Sequence, residues 1–118
     1  MKKIYHLSTC STCIRILKEI DAEKNSFELQ DIKTKKITTK LLNNMAKIAG
    51  SYEALFSRRA IKYKAFGLDK KDLTEKDYRQ LILEEYTFLK RPVAIVGNEI
   101  FIGNSAKTVE ALKTAINR

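Results

Sequence analysis

The N-terminal third of the chain alternates between strand-like and helix-like spacing of its apolar residues. Residues 3–7 combine apolar and aromatic side chains and predict a short strand, and residues 26–32 alternate apolar with polar positions and predict a second. Between them, the spacing of one helix face recurs at Cys13, Ile16, Leu17 and Ile20. A strand, a helix and a strand in this order predict a right-handed crossover between parallel strands.

Helical spacing dominates the centre of the chain. Thr38 or Thr39 is placed to cap a helix that Gly50 would end, and a further short helix is predicted over residues 52–58. Thr74-Glu75-Lys76-Asp77 matches a capping box and predicts the start of a long helix. The apolar and aromatic residues expected to pack from that helix are Tyr78, Leu81, Ile82, Tyr86, Phe88 and Leu89.

The C-terminal part predicts two strands and a helix. Pro92 opens an apolar run over residues 93–96, and proline tolerates the first position of a strand but not its middle. Gly97-Asn98-Glu99 predicts a hairpin turn into residues 100–102, and a last helix follows Asn104 or Ser105. The element order predicts one α/β domain over residues 1–118, with a mixed four-stranded sheet and a helical insertion at about 35–89.

Composition narrows the class of protein. The chain has 118 residues and a formal net charge of +9, and its 44% hydrophobic and 31% charged residues are ordinary for a globular protein. No apolar run approaches the ~20 residues of a membrane helix, and no signal peptide is recognisable, so we expect a cytoplasmic protein with no membrane association. Two cysteines and one histidine exclude a disulfide-framework domain and fall one short of a zinc site made of four cysteine and histidine ligands.

The two cysteines carry the candidate chemistry. Cys10-Ser11-Thr12-Cys13 lies where the first strand should end and the helix begin. Unpaired backbone N–H groups and the helix dipole favour negative charge there, so Cys10 should ionise readily. Cys13 falls on the apolar helix face and should be shielded, whereas Cys10 precedes the first turn and should be exposed. An exposed attacking thiol beside a shielded resolving thiol is what thiol–disulfide exchange requires.

Two other interpretations of this cysteine pair stay open. Cys13 can be a small core residue and Cys10 an incidental surface thiol. Alternatively, Cys10, Cys13 and His6 can bind zinc, although this would need a fourth ligand and the chain has no second cluster of soft ligands.

A series of short motifs identifies a resemblance that covers nearly the whole chain. In chain order they are Ile4-Tyr5-His6, the loop ending in Cys10-Ser11-Thr12-Cys13, Leu55-Phe56-Ser57-Arg58-Arg59, Ala65-Phe66-Gly67-Leu68 and Lys90-Arg91-Pro92. This ordered set resembles the arsenate reductase (ArsC)/Spx family of thioredoxin-like proteins. The resemblance implies a thioredoxin-like fold with an inserted helical subdomain, a catalytic cysteine at Cys10 and a cis peptide before Pro92.

The resemblance also implies a set of oxyanion-binding residues. Arg91 matches one family arginine, and a second falls at Arg58 or Arg59, although gapless alignment puts Ser57 at that position. A third would follow the last strand, where Gly103-Asn104-Ser105 contains no arginine. Three further candidates for substrate binding lie around the reactive cysteine: His6, Ser11 and Thr12.

These features predict a thiol oxidoreductase similar to arsenate reductases. Cys10 would attack a small oxyanion or a disulfide, and Cys13 would displace the adduct by forming an intramolecular disulfide. No bound cofactor is expected, and an external thiol such as glutathione, glutaredoxin or thioredoxin would restore the dithiol.

The alternative is an Spx-type redox-sensing transcriptional regulator that binds RNA polymerase, and a third possibility is a binding module that has lost catalysis. The paired cysteines and the missing third arginine favour the regulator. Two basic clusters are available for acidic partners, namely Arg58, Arg59, Lys62 and Lys64, and Lys33, Lys35, Lys36 and Lys40. No DNA-binding motif accompanies them, so we expect no direct, specific nucleic-acid binding.

Overall fold

The computed structural model describes all 118 residues, which divide into two compact units. The sheet unit comprises Met1–Lys36 and Arg91–Arg118, and the helical unit comprises Ile37–Lys90. The bounds of the helical unit lie close to those predicted for the insertion, residues 35–89. That the two units form one thioredoxin-like domain stays a prediction.

Four strands and five helices make up the regular structure. In chain order they are β1 (Lys2–His6), α1 (Ser11–Glu19), β2 (Glu28–Asp31), α2 (Thr39–Ala49), α3 (Ile61–Ala65), α4 (Glu75–Glu84), β3 (Val93–Val96), β4 (Glu99–Ile102) and α5 (Ala106–Ile116). Short 3-10 turns occur at Glu53–Leu55, Leu68–Lys70 and Tyr86–Phe88. None of the helices combines the length and the apolarity needed to cross a bilayer.

The sheet unit contains a mixed four-stranded sheet in the order β2-β1-β3-β4. β1 pairs with β2 in parallel and with β3 antiparallel, and β3 pairs antiparallel with β4. This confirms the predicted α/β fold, including the parallel crossover. The register of the parallel pair sets His6 beside Asp31, so the last residues of β1 and β2 lie at the same edge of the sheet.

One apolar core joins the sheet to its two helices. Its buried members come from the sheet, from α1 and the connection that follows it, and from α5: Ile4, Ala94, Ile16, Ile20, Ala22, Phe27, Val109 and Leu112. The helical spacing in the sequence therefore identified the buried face of α1. At α5, the side chain of Ser105 accepts a hydrogen bond from the backbone N–H of Thr108, so Ser105 rather than Asn104 caps the helix.

Local signals also set the helix ends in the helical unit. The Thr38 hydroxyl accepts a hydrogen bond from the backbone N–H of Leu41 at 3.1 Å and caps α2, which ends at Gly50 in the left-handed conformation with a φ of 96°. Thr74 and Asp77 form the predicted capping box at the start of α4. Phe56, fully buried, stacks on Phe88 and tilts against Tyr78, so an aromatic cluster fills the centre of this unit.

Two helix predictions in the helical unit were wrong in extent. The helix predicted over residues 52–58 is only the 3-10 turn Glu53–Leu55, because Phe56 then becomes extended and pairs with Leu89 in an antiparallel bridge. The long helix ends at Glu84, so Tyr86, Phe88 and Leu89 lie outside it. Glu85 adopts an extended conformation, and its carboxylate accepts a hydrogen bond from the backbone N–H of Thr87.

Candidate active site

Cys10 lies at the N-cap of α1, directly after the connection from β1. Its backbone is extended, with φ −95° and ψ 113°, and its carbonyl accepts the first helical hydrogen bond, from Ile14, at 3.1 Å. The backbone N–H of Cys10 donates to the carbonyl of Leu7 at 3.0 Å, which closes a tight turn before the helix. The thiol is thereby placed at the end of a helix whose first N–H groups have no partner within the helix.

The surroundings of Cys10 favour its thiolate. Partial burial acts to raise the pKa of Cys10, but this is outweighed by hydrogen bonds from the backbone N–H and thiol of Cys13 and from the backbone N–H of Thr12. The positive charge of Arg91 acts in the same direction, and the pKa of Cys10 is lowered overall. The thiolate therefore forms at a lower pH than that of an ordinary thiol.

The surroundings of Cys13, in contrast, favour its protonated thiol. Its side chain is fully buried, and burial is the main reason why its pKa is raised to about 11, with a further contribution from the neighbouring Cys10 thiolate. Both cysteines are free, and Cys10 is half-buried, which is less exposed than the sequence predicted. The pair combines one thiol that ionises readily with one that stays protonated.

Arg91 and Pro92 enter the site from the chain segment that precedes β3. The peptide between them is cis, as the family resemblance implied. Pro92 is buried, and its carbonyl accepts a hydrogen bond from the backbone N–H of Gly103 at 2.9 Å. The segment Gly103-Asn104-Ser105 is therefore held against Pro92, yet it brings no cation to this part of the unit.

The remaining sequence candidates of the sheet unit lie around the Cys10 turn. His6 ends β1, is half-buried, and has a buried Nδ1 atom without a hydrogen-bond partner. Ser11 and Thr12 form the first turn of α1, Ser11 exposed and Thr12 half-buried. Of the two, only Thr12 has a hydrogen bond that bears on Cys10. The roles of these three residues in substrate binding stay predictions.

Asp31 and Ser8 are two residues of this region that the sequence analysis did not single out. The carboxylate of Asp31 accepts hydrogen bonds from both the backbone N–H and the hydroxyl of Ser8, which lies between β1 and Cys10. No local pattern in the sequence could identify this contact. It depends on the parallel pairing of β1 and β2, which brings Asp31 to the end of β1.

The other two arginine candidates belong to the helical unit. Arg58 donates to the Glu53 carboxylate at 2.7 Å and to the Tyr78 hydroxyl at 2.8 Å, and its guanidinium lies 5.6 Å from the centre of the Tyr78 ring. Arg59 is exposed and makes no ion pair. The assignment of either residue to oxyanion binding stays a prediction.

Metal-ligating residues do not cluster in the chain. No group of three or more His, Cys, Asp or Glu side chains has an arrangement that could hold a metal ion. Cys10, Cys13 and His6, the candidates for zinc, therefore gain no further ligand from the fold.

Comparison with known proteins identifies one family. The ArsC family model matches residues 5–112. No curated protein matches the chain.

Several solved structures share the fold across nearly their full lengths. Arsenate reductase from Vibrio cholerae is 15% identical, with a TM-score of 0.77 over 95% of this chain and 95% of that chain. An arsenate reductase (ArsC) related protein from Brucella melitensis is 20% identical, with a TM-score of 0.73 over 93% and 92%. A possible arsenate reductase from Streptococcus mutans is 25% identical, with a TM-score of 0.75 over 95% and 97%. The chain belongs to the ArsC family.

Proposed function

We propose that the chain is a thiol-dependent oxidoreductase in which Cys10 is the nucleophile and Cys13 the resolving thiol. The observation that carries this proposal is the contrast between the two sulfurs. Cys10, at the N-cap of α1, has a lowered pKa, whereas fully buried Cys13 has a pKa raised to about 11. Membership of the ArsC family supports the same assignment of a thiol redox protein.

The first step is attack by the Cys10 thiolate. With a disulfide substrate, a bond forms between Cys10 and one substrate sulfur, and the other substrate sulfur leaves as a thiolate that takes a proton from water. With an oxyanion such as arsenate, Cys10 displaces one oxygen, which leaves as water after protonation, and the central atom stays bound to Cys10. Arg91 stabilises the negative charge at this stage.

The second step is attack by Cys13 on the sulfur of Cys10. The negative charge of Cys10 is one cause of the raised pKa of Cys13, and this charge disappears when Cys10 forms the adduct. Cys13 then loses its proton more easily and forms the Cys10–Cys13 disulfide. The bond from Cys10 to the substrate atom breaks, and its electron pair leaves with the substrate, which is reduced by two electrons.

The oxidised pair needs an external reductant to complete a cycle. A thiol such as glutathione, or a dithiol protein of the glutaredoxin or thioredoxin type, would attack the Cys10–Cys13 disulfide and return both sulfurs to thiols. No bound cofactor takes part in this scheme. The cytoplasm, where such reductants are abundant, is the proposed location.

Recognition of an oxyanion would use Arg91 together with Arg58 or Arg59. Charge-assisted, bidentate arginine contacts hold tetrahedral anions well, so the number of arginines at the site bears on the substrate. The lack of an arginine in Gly103-Asn104-Ser105 favours substrates that need fewer such contacts. A disulfide is one of them.

A single-turnover assay tests the proposal. Reduced protein is mixed with arsenate or with a small mixed disulfide, and both product formation and the loss of free thiols are followed. We expect one turnover in the wild type, none with Cys10→Ser, and a covalent adduct that accumulates with Cys13→Ser. Equal turnover in the wild type and Cys10→Ser would remove Cys10 from the nucleophile role. An unreactive Cys10 would leave a binding module as the better interpretation.

The second candidate function is a redox-sensing regulator of the Spx type that binds RNA polymerase. It is supported by the same thiol pair, which would act as a switch rather than a catalyst, and by the missing third arginine. A pull-down from the source cell with oxidised and reduced protein tests it. The regulator predicts polymerase subunits in one redox state and equal capture in both states by Cys13→Ser. Polymerase in neither state would eliminate this candidate.

A further inference from the structure

A carboxylate on the neighbouring strand holds the turn that leads to Cys10. Asp31 ends β2, and its Oδ1 atom accepts hydrogen bonds from the backbone N–H of Ser8 at 3.3 Å and from that of Lys33 at 3.1 Å. Its Oδ2 atom accepts a hydrogen bond from the Ser8 hydroxyl. Two donors of one residue thus meet the two oxygens of one carboxylate, and this fixes the orientation of Ser8 as well as its position.

Ser8 is well placed to transmit this restraint to the nucleophile. It lies within the turn that the hydrogen bond from the Cys10 backbone N–H to the Leu7 carbonyl closes at 3.0 Å. Asp31 is itself fixed by the pairing of β2 with β1, which continues past it through a hydrogen bond from Ile32 to the His6 carbonyl at 2.9 Å. The turn is therefore anchored to β1, which precedes it, and to β2 through Asp31.

We propose that Asp31 is a positioning residue for the Cys10 nucleophile. Through Ser8, it holds the turn that keeps the Cys10 sulfur aligned with the backbone N–H groups of Thr12 and Cys13. The inference rests on the proposed function, since it assumes that an aligned Cys10 thiolate is the reacting group. Asp31 touches neither the sulfur nor the substrate in this role.

Two electrostatic routes from Asp31 to Cys10 predict different results. The hydrogen bond from the Ser8 hydroxyl is the main cause that lowers the pKa of Asp31, so its carboxylate is charged, and the positive charge of His6 contributes to the same shift. If Asp31 acted directly as a negative charge, its removal would lower the pKa of Cys10. If Asp31 acted through the positive charge of His6, its removal would raise the pKa of Cys10, but loss of the Ser8 hydroxyl alone would not.

The rate of iodoacetamide alkylation of Cys10 as a function of pH separates these routes. The variants are Asp31→Ala, Asp31→Asn, Ser8→Ala and, as a charge-matched control, Glu23→Gln. Glu23 is exposed, and no side-chain hydrogen bond or ion pair involves it. Asn retains one acceptor oxygen for Ser8 while losing the full charge of Asp31. Far-UV circular dichroism and urea denaturation establish that each variant is folded.

We expect Asp31→Ala and Ser8→Ala both to raise the pKa of Cys10, with alkylation about threefold slower below the wild-type pKa. Asp31→Asn should lie between Asp31→Ala and the wild type, and Glu23→Gln should match the wild type. A lowered pKa in both Asp31 variants, or an unchanged pKa in Ser8→Ala, would overturn the positioning role. An ordinary thiol pKa in the wild type would contradict the proposed function instead. If Asp31→Ala does not fold, Ser8→Ala and Asp31→Asn still decide the question.

Discussion

The sheet unit and the helical unit use their candidate arginines differently. In the sheet unit, the charge of Arg91 acts on the Cys10 sulfur and helps to lower its pKa. In the helical unit, Arg58 is engaged by the Glu53 carboxylate at 2.7 Å and by the Tyr78 hydroxyl at 2.8 Å. Arg91, which matches a family arginine directly, and Arg58, which matches one only with a shift from Ser57, therefore have different surroundings.

This difference indicates that thiol activation and anion recognition have separate origins. Every group that sets the pKa of Cys10 belongs to the sheet unit: Cys13 and Thr12 through hydrogen bonds, and Arg91 through its charge. Recognition of an oxyanion is proposed to require an arginine of the helical unit in addition. The sheet unit therefore activates Cys10 with its own residues.

The largest expected effect is a loss of stability when a buried aromatic ring is removed from the core of the helical unit. Phe56 is fully buried, with its ring centre 4.9 Å from that of Tyr78 and 5.2 Å from that of Phe88. Phe56→Ala should lower the free energy of unfolding by about 3–5 kcal/mol, because it removes a large side chain from a packed site. Urea denaturation measures this loss, with Phe66→Ala at a half-exposed ring as the control.

The same variant tests the independence of the thiol site. Under conditions where Phe56→Ala is still folded, the pKa of Cys10 should equal that of the wild type, because none of the groups that lower it lies in the helical unit. A raised Cys10 pKa in the folded variant would show that the helical unit also influences the Cys10 thiol.

The next largest effect is the difference in reactivity between the two cysteines. With a pKa of about 11, Cys13 holds about two to three orders of magnitude less thiolate at neutral pH than an ordinary thiol, and burial restricts access further. Iodoacetamide should therefore label Cys10 alone in the native protein, and the rate should fall as pH falls through the lowered pKa of Cys10. Mass spectrometry of peptides gives the label at each position.

Denatured protein is the control for this experiment, since both cysteines should then react. Equal labelling of Cys10 and Cys13 in the native state would contradict the division of roles between an attacking and a resolving thiol.

A smaller effect is expected from removing one helix cap in each unit, which gives a matched pair of variants. The Thr74 hydroxyl accepts a hydrogen bond from the backbone N–H of Asp77 in the helical unit, and the Ser105 hydroxyl accepts one from that of Thr108 in the sheet unit. Thr74→Ala and Ser105→Ala should each lower the free energy of unfolding by about 1 kcal/mol. Neither cap acts on the sulfur of Cys10, so its alkylation rate should not change. A slower alkylation rate in Ser105→Ala would show that the start of α5 also influences the Cys10 thiol.

Elements with a strong local signal could be predicted from the sequence. Thr38, Gly50 and the Thr74 capping box marked helix ends through contacts between residues a few positions apart. The end of α4 could not be found in this way, because the apolar spacing continues to Leu89 while the backbone there pairs with Phe56, far away in the chain. Helix α3 was missed because it is short and has no buried residue to mark a face.

The features of the candidate site also divide into those that local spacing predicts and those that it does not. The position of Cys10 before a helix and the burial of Cys13 follow from spacing within one element. The contact between Ser8 and Asp31 and the pairing of Arg58 with Tyr78 join residues about twenty positions apart. They depend on strand pairing and on packing, which no local pattern encodes.

The smallest expected effect tests most sharply whether the sheet unit activates its own thiol, because it compares the two arginines by their action on one sulfur. Arg91 is the weakest of the influences that lower the pKa of Cys10. Arg91→Ala should raise that pKa, so that alkylation by iodoacetamide becomes about two- to threefold slower below the wild-type pKa, and Arg91→Lys should restore part of the rate.

The decisive measurement is therefore the rate of Cys10 alkylation against pH in the wild type, Arg91→Ala and Arg58→Ala. We expect the curve of Arg91→Ala to move to higher pH and that of Arg58→Ala to coincide with the wild type. A curve that moves for Arg58→Ala and not for Arg91→Ala would contradict the claim that the sheet unit activates its own thiol.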